Sequence, residues 1–173
     1  MNTHLNQLFV SLEAQRSQLL GMVKNAPDRF NINPGDNKWS LHQVLAHLVA
    51  VEKLSTQYLK KKIQGIDEAK NSGFTENLKM VVLKISQRLP LKFNAPQGVV
   101  ALTASYPSLN ELEADWSSTR DTLKMLLEEV RDDQIKRMIY KHPAVGKLDI
   151  TQALEFLGEH VAHHLPQVNR LLK

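Results

Sequence analysis

Apolar residues recur at helical spacing along most of the chain, in segments separated by turn-forming residues. In residues 3–24 they return every three, four or seven positions, which predicts an amphipathic helix that ends before Pro27. The same periodicity predicts three further long helices, over about residues 41–63, 109–130 and 150–172. Each of these begins after a polar residue with Gln or Glu three positions later, a capping box formed by Ser40 with Gln43, Ser108 with Glu111, and Asp149 with Gln152.

The connection across residues 64–107 is less regular. Within it, residues 75–88 carry apolar side chains at helical spacing and predict another helix, although Val81-Val82-Leu83 also fits a strand. Residues 94–107, with two prolines and a glycine, predict a long loop, and loops of that length are more often functional than filler. Because no strand pattern is convincing, we predict an all-α four-helix bundle with a long crossover between helices 2 and 3, a single domain over residues 1–173.

Composition and charge narrow the classes of function. The 173 residues include no cysteine, which excludes disulfides, thiolate metal sites and a cysteine nucleophile. The first residues do not resemble a signal peptide and no apolar run reaches the roughly 18 residues of a membrane span, so we expect a cytoplasmic protein. The net charge of +4 is compatible with a nucleic-acid partner, but the sequence has only one dense basic run, Lys60-Lys61-Lys62. Elsewhere basic residues alternate with acidic ones along helical faces, which argues against nucleic acid and favours a solvated surface.

Two histidines of the last helix, His160 and His164, are four residues apart, which stacks their rings on one face, one turn apart. With an advance of about 100° per residue, His164 falls near the middle of the apolar face and His160 near its edge, whereas His163 points toward water. Two interpretations are open: a pair of hydrogen-bonded core histidines, or two ligands of one divalent ion. His47, at the flank of the buried stripe of the second helix, is a candidate third ligand.

Three stretches of the chain resemble the DinB-like superfamily. They are KWSLHQVLAHL at residues 38–48, similar to the family's second-helix signature, HPAVGKL at residues 142–148, similar to the loop before its fourth helix, and HVAHHLPQV at residues 160–168, similar to its closing motif. The resemblance covers about residues 30–60 and 140–172. It implies a cytoplasmic bacterial four-helix bundle with a long crossover, a fold in which many members bind a divalent metal through three histidines. Carried over residue by residue, those ligands fall on His47, His160 and His164.

The resemblance also implies a class of chemistry. Three protein ligands leave a metal position open for water or substrate, as in catalytic sites. We therefore expect a metal-dependent enzyme that uses zinc or nickel to activate water for hydrolysis or a low-molecular-weight thiol for transfer, as in bacillithiol- and mycothiol-dependent relatives. The resemblance suggests a homodimer. The alternative is a metal-binding or metal-free bundle that acts as a stress-related or partner-binding module without turnover. A third and weaker hypothesis is DNA binding. It rests on the positive net charge of the chain and on the family's association with DNA-damage induction.

Further side chains are candidates for supporting roles. Glu52 lies in the apolar arc of the second helix, where it either serves the site, as an acceptor for a ligand's outer ring nitrogen or for a proton, or is an edge carboxylate paired with a surface cation. Tyr58 and Trp116 either line a pocket near the metal or belong to the core. The remaining histidines are expected to face solvent, as His4 and His42, or to serve the turn before Pro143, as His142.

Overall fold

A computed structural model describes residues 1–32, 34–35, 38–88 and 103–173 of the chain. The helices in these ranges are α1 (Thr3–Lys24), α2 (Leu41–Ile63), α3 (Phe74–Arg88), α4 (Leu109–Glu129) and α5 (Ile150–Leu171). The four long helices agree with the predicted bounds to within one residue, and residues 75–88 are helical rather than extended. No helix in the described part of the chain is both long enough and apolar enough to cross a membrane.

The architecture is an all-α bundle in which α1, α2, α4 and α5 enclose the core. α2 packs along α4 and α1 packs along α5. α2 also packs against α5, which brings together the two helices that carry the predicted metal ligands. The crossover from α2 to α4 includes α3, which packs on α5. The predicted four-helix bundle with a long crossover is therefore confirmed.

The apolar stripe predicted for α5 forms a large part of the core. Two of its eight members, Leu165 and Leu172, are half-buried. The other six are buried, namely Ile150, Ala153, Leu154, Leu157, Val161 and Val168. Burying one such side chain stabilises the fold by about 1.5–3 kcal/mol. This burial fixes the rotation of α5 about its axis, and therefore which of its histidines face inward.

The predicted caps position the helices that carry the histidines. The hydroxyl of Ser40 accepts the amide of Gln43 at 3.2 Å, and the Gln43 side chain accepts the amide of Ser40 at 2.8 Å. The box of Asp149 with Gln152 is also complete, with bonds of 2.8 and 3.1 Å. At α4 the hydroxyl of Ser108 accepts the amide of Glu111 at 3.2 Å, but the Glu111 side chain does not return the bond. The third capping box is therefore only half formed.

A short antiparallel hairpin before α5 departs from the strand-free prediction. Its strands are β1 (Tyr140–His142) and β2 (Gly146–Leu148), with Tyr140 opposite Leu148 and His142 opposite Gly146. Gly146 has a φ of 82°, a conformation that favours glycine because a Cβ atom would be strained there. Strands of three residues are too short to show the alternation by which strands are recognised in a sequence.

α3 packs with one face only. Met80 and Leu83 are buried in the cluster that includes α5. The stripe that defined this helix in the sequence is instead more than half exposed; its described members are Leu78, Val81, Val82 and Ile85. Leu89 and the predicted loop as far as residue 102 lie outside the described residues, while residues 103–107 form neither helix nor strand.

Candidate metal centre

Three histidines from two helices meet between α2 and α5. Nε2 of His47 and Nε2 of His160 are 3.1 Å apart. One ring nitrogen from each of His47, His160 and His164 lies within 4.8 Å of the other two. Within the described ranges, no other group of three histidine or carboxylate side chains is arranged to share an ion. The packing of α2 on α5 thus brings together the three residues that the sequence marked as ligands.

Each ring is oriented by its own helix. His160 and His164 are one turn apart on α5, and their ring centroids are 4.8 Å apart. Trp39 lies just before Ser40, the cap of α2, and meets the ring of His47 edge-on at a centroid distance of 5.1 Å. His47 is 4% exposed. His160 and His164 are partly buried, so both are more exposed than His47.

The tautomer of His164 is set by Gln167. Nδ1 of His164 and Oε1 of Gln167 are 3.1 Å apart. Because an amide oxygen can only accept, Nδ1 carries the proton and Nε2 keeps its lone pair. A ligand histidine needs this arrangement, since the hydrogen bond at one ring nitrogen orients the other toward the metal. Gln167 was not singled out from the sequence, although it lies three residues after His164, on the same side of the helix.

Burial keeps all three rings neutral at physiological pH. It lowers the pKa of His47 to about 4, with further lowering from the neighbouring His164 and His163. Burial also holds the pKa of His160 well below 6.5, helped by the adjacent His164 and His47. The pKa of His164 is lowered by burial too, against a smaller raising effect of its bond to Gln167. Neutral imidazole is the form that binds a metal, so these rings need not lose protons to do so.

The donor set fits a divalent ion. Zinc–nitrogen bonds of about 2.0–2.1 Å place two nitrogens on a tetrahedral ion roughly 3.3–3.4 Å apart. The 3.1 Å between the Nε2 atoms of His47 and His160 is close to that spacing. Nδ1 of His47 is buried and finds no hydrogen-bond partner in the part of the chain that the structure describes. Nδ1 is not the nitrogen that faces His160, so its cost of about 1–3 kcal/mol bears on the stability of the fold rather than on the metal. The facing nitrogens suit an ion by their spacing and their neutral state. The three histidines therefore could bind a metal.

Phe156 and His142 lie beside the cluster, and no sequence pattern placed them there. The ring of Phe156 lies 5.7 Å from that of His160, four residues earlier on α5. His142, from the hairpin, meets Phe156 edge-on at 4.5 Å. Nδ1 of His142 accepts the backbone amides of Ala144 at 3.1 Å and Val145 at 3.4 Å, which confirms its role in the turn. Its remaining ring N–H belongs to Nε2, and burial lowers its pKa to about 4.

Glu52 makes its hydrogen bonds with Arg120 and Trp116 rather than with the three histidines. It is 2% exposed and pairs with the equally buried guanidinium of Arg120, whose Nη2 donates to it at 2.7 Å. The indole N–H of Trp116 donates to the same carboxylate at 3.0 Å. The expected partner for a buried carboxylate is present, but it is a core arginine rather than a surface cation. Trp116 is fully buried, as the core interpretation predicted.

Two other histidines depart from their predicted exposure. His163 is half-buried and its ring lies 5.1 Å from that of His164, although it is not a member of the three-histidine group. His42 is also half-buried, and its Nε2 accepts the backbone amide of Tyr106 at 3.0 Å. The neighbour of His42 comes from another segment, which the periodicity of α2 does not reveal. His4 is exposed, as predicted. The ring of Tyr58 meets that of Tyr140 edge-on, with the two ring centroids 5.9 Å apart.

The chain is similar in sequence to known proteins. The sequence model of the DinB superfamily matches residues 11–168, a range that contains all three histidines and Gln167. The chain is also similar to the uncharacterized protein YuaE of Bacillus subtilis (strain 168), with 22% identity over 144 residues, which is 83% of each chain. No solved structure matches the chain.

Proposed function

Because the chain belongs to the DinB superfamily, we propose that it binds one divalent metal ion, zinc or nickel, through His47, His160 and His164 and works as a metal-dependent enzyme. The reaction class is hydrolysis or transfer of a low-molecular-weight thiol. The observation that carries the proposal is the meeting of three neutral ring nitrogens, with two Nε2 atoms 3.1 Å apart and all three within 4.8 Å.

The protein's own residues would each have a defined part. His47 holds the buried side of the site, while Gln167 keeps the proton of His164 on Nδ1 and so presents Nε2. A divalent ion with three imidazole ligands supplies an open position at which water or a thiol becomes more acidic. The partly buried side formed by His160 and His164 is where a small substrate would approach, next to Phe156.

No described carboxylate joins the three histidines within sharing distance. The proposal therefore assigns no proton transfer to Glu52, whose contacts are Arg120 and Trp116. A small thiol or a water molecule is the proposed reactant, in a cytoplasmic setting. Nucleic acid is not part of the proposal, because charged side chains such as Lys24, Lys53 and Lys84 are paired with acidic ones.

Turnover is tested with protein reloaded with zinc or nickel after metal removal. One assay follows loss of free thiol in the presence of an electrophilic acceptor, and the other follows hydrolysis of an activated ester without thiol. Metal-free protein and the His160→Ala variant are the controls. We expect one of the two reactions to proceed above both controls, and the reaction that responds identifies the class.

Cobalt(II) separates binding from turnover. Its visible spectrum reports the ligands directly, and addition of a small thiol should produce a new sulfur-to-metal band. A band without turnover in either assay would support the alternative, a metal-binding module without catalysis. If no metal binds at micromolar concentration, both forms of the proposal are wrong.

A further inference from the structure

The ring of His142 has one N–H, and the turn of the hairpin fixes which nitrogen carries it. Nδ1 accepts the backbone amides of Ala144 at 3.1 Å and Val145 at 3.4 Å, so it cannot carry a proton itself. The only ring proton is therefore on Nε2. Among the described residues, none accepts a hydrogen bond from this N–H. The turn thus orients a donor that the fold itself does not use.

This donor lies beside the three histidines of the proposed metal site. The ring of His142 meets Phe156 edge-on at a centroid distance of 4.5 Å, and Phe156 lies 5.7 Å from His160. Phe156 and His160 are one turn apart on the same face of α5. The pKa of His160 is lowered chiefly by burial, and His142 is near enough to lower it further. His142 is therefore next to the side at which a substrate would approach.

The structural role of His142 does not explain its Nε2–H. A turn of this kind needs only an acceptor for the amide two residues on, which the short side chain of Asn or Asp commonly supplies. Buried N–H groups nearly always have a hydrogen-bond partner, and an aromatic face such as that of Phe156 is only a weak acceptor. His142 is 8% exposed, and Gly146, opposite it in the hairpin, has no side chain with which to cover the ring. The N–H is thus available to a small molecule beside the cluster.

We propose that His142 donates its Nε2–H to an oxygen atom of the substrate, and that this substrate carries a carbonyl or carboxylate group. The inference rests on the proposed function, because it concerns the same site. An N–H that is already oriented stabilises negative charge as it develops on an oxygen atom, and neutral imidazole acts in this way in other enzymes. The three other histidines would hold the ion, while His142 selects the substrate by its oxygen.

Cobalt(II) protein allows this contact to be measured as binding. Acetate is the probe, because its carboxylate can accept the Nε2–H, and ethanethiol is the contrasting probe, because its sulfur is a weak acceptor. The visible spectrum gives a dissociation constant for each. In His142→Leu we expect acetate to bind about tenfold or more weakly, the usual effect of losing a hydrogen bond to a charged group. Ethanethiol should bind as it does to the wild type.

Two further variants and one measurement on the wild type complete the test. Tyr140→Phe is the matched control, since Tyr140 is on the same strand and its hydroxyl is already bonded to Ser55 at 2.9 Å. It should bind acetate as the wild type does. His142→Gln should recover part of the affinity, because its amide offers both an acceptor and an N–H. In the zinc-loaded, nitrogen-15-labelled wild type, the Nε2–H resonance of His142 should shift when acetate is added.

Equal acetate affinities in the wild type and in folded His142→Leu would overturn the inference. An Nε2–H resonance that does not respond to acetate would overturn it as well. Loss of both acetate and ethanethiol affinity in His142→Leu would also do so, because His142 would then only support the fold of the site. In each of these cases the wild type still binds cobalt and the proposed function stands. Wild-type protein that binds no cobalt would contradict the proposed function and, with it, this inference.

Discussion

The side chain of Gln167 accepts a hydrogen bond from Nδ1 of His164 at 3.1 Å, three residues away on the same helix. This contact leaves the lone pair of His164 on Nε2, the atom that a ligand must offer. The amide thus acts on the site without belonging to the set of ligands. Its effect should be visible in metal affinity rather than in metal stoichiometry.

Gln167→Ala is expected to weaken metal binding about tenfold or more, which is the usual cost of losing the partner of a ligand histidine. One ion per chain should still bind at saturating metal. Competition against a chelator of known affinity measures the change. Asn169→Ala, two residues on and exposed, is the control and should bind metal as the wild type does. Equal affinities in the two variants would show that Gln167 does not orient the ligand.

The buried pair of Glu52 and Arg120 predicts a stability effect separate from the metal. Glu52→Gln leaves the guanidinium of Arg120 buried with less compensation, and we expect a loss of about 3–5 kcal/mol in the free energy of unfolding. The double variant Glu52→Leu with Arg120→Met should recover part of this loss, because it removes both charges but leaves the indole N–H of Trp116 without its acceptor. Urea denaturation gives these values.

Lys53→Ala is the matched control for that pair, since it breaks the exposed ion pair with Asp115 on the same two helices. It should cost less than about 1 kcal/mol. Metal stoichiometry should be unchanged in Glu52→Gln. If the folded Glu52→Gln protein lost its metal, Glu52 would belong to the site after all.

Acid should destabilise the metal-free protein. Burial lowers the pKa of His47 and of His142 to about 4, whereas the unfolded chain titrates near 6.5. Between these values the unfolded chain binds more protons, so the free energy of unfolding falls as the pH falls from 6.5 to 4. Each histidine contributes on the order of 3 kcal/mol across this window. Above pH 6.5 the contribution is complete.

His142→Gln tests that assignment, because it removes one titrating group while an amide oxygen can still accept the turn amides. Its unfolding free energy should depend less steeply on pH between 4 and 6.5. His4→Gln, at an exposed position, should keep the wild-type slope. A His142→Gln slope equal to that of the wild type would mean that folding does not lower the pKa of His142.

Helical periodicity was enough to predict the long helices and the inward faces, because each apolar stripe is continuous over several turns. The same arithmetic placed His160 and His164 on the core side. It could not show that α2 packs on α5, and only that contact brings His47 within 3.1 Å of His160. The resemblance to the superfamily, rather than periodicity, predicted that the three histidines form one site.

Other features of the structure could not be predicted from the sequence, for definite physical reasons. The partner of Glu52 comes from α4, 68 positions away, so no local pattern reveals it. The stripe of α3 is apolar but exposed, because periodicity tells which side chains share a face and not what covers that face. His163 was placed in water because helical arithmetic gives the direction of a side chain and not the extent of its burial, which is intermediate.

We propose above that His47, His160 and His164 hold one metal ion. The most direct test of this proposal is elemental analysis of protein purified without an affinity tag, comparing the wild type with His160→Ala and His163→Ala. We predict one zinc or nickel ion per chain in the wild type and in His163→Ala, and none in His160→Ala. A full equivalent of metal in folded His160→Ala, or its loss in His163→Ala alone, would contradict this assignment.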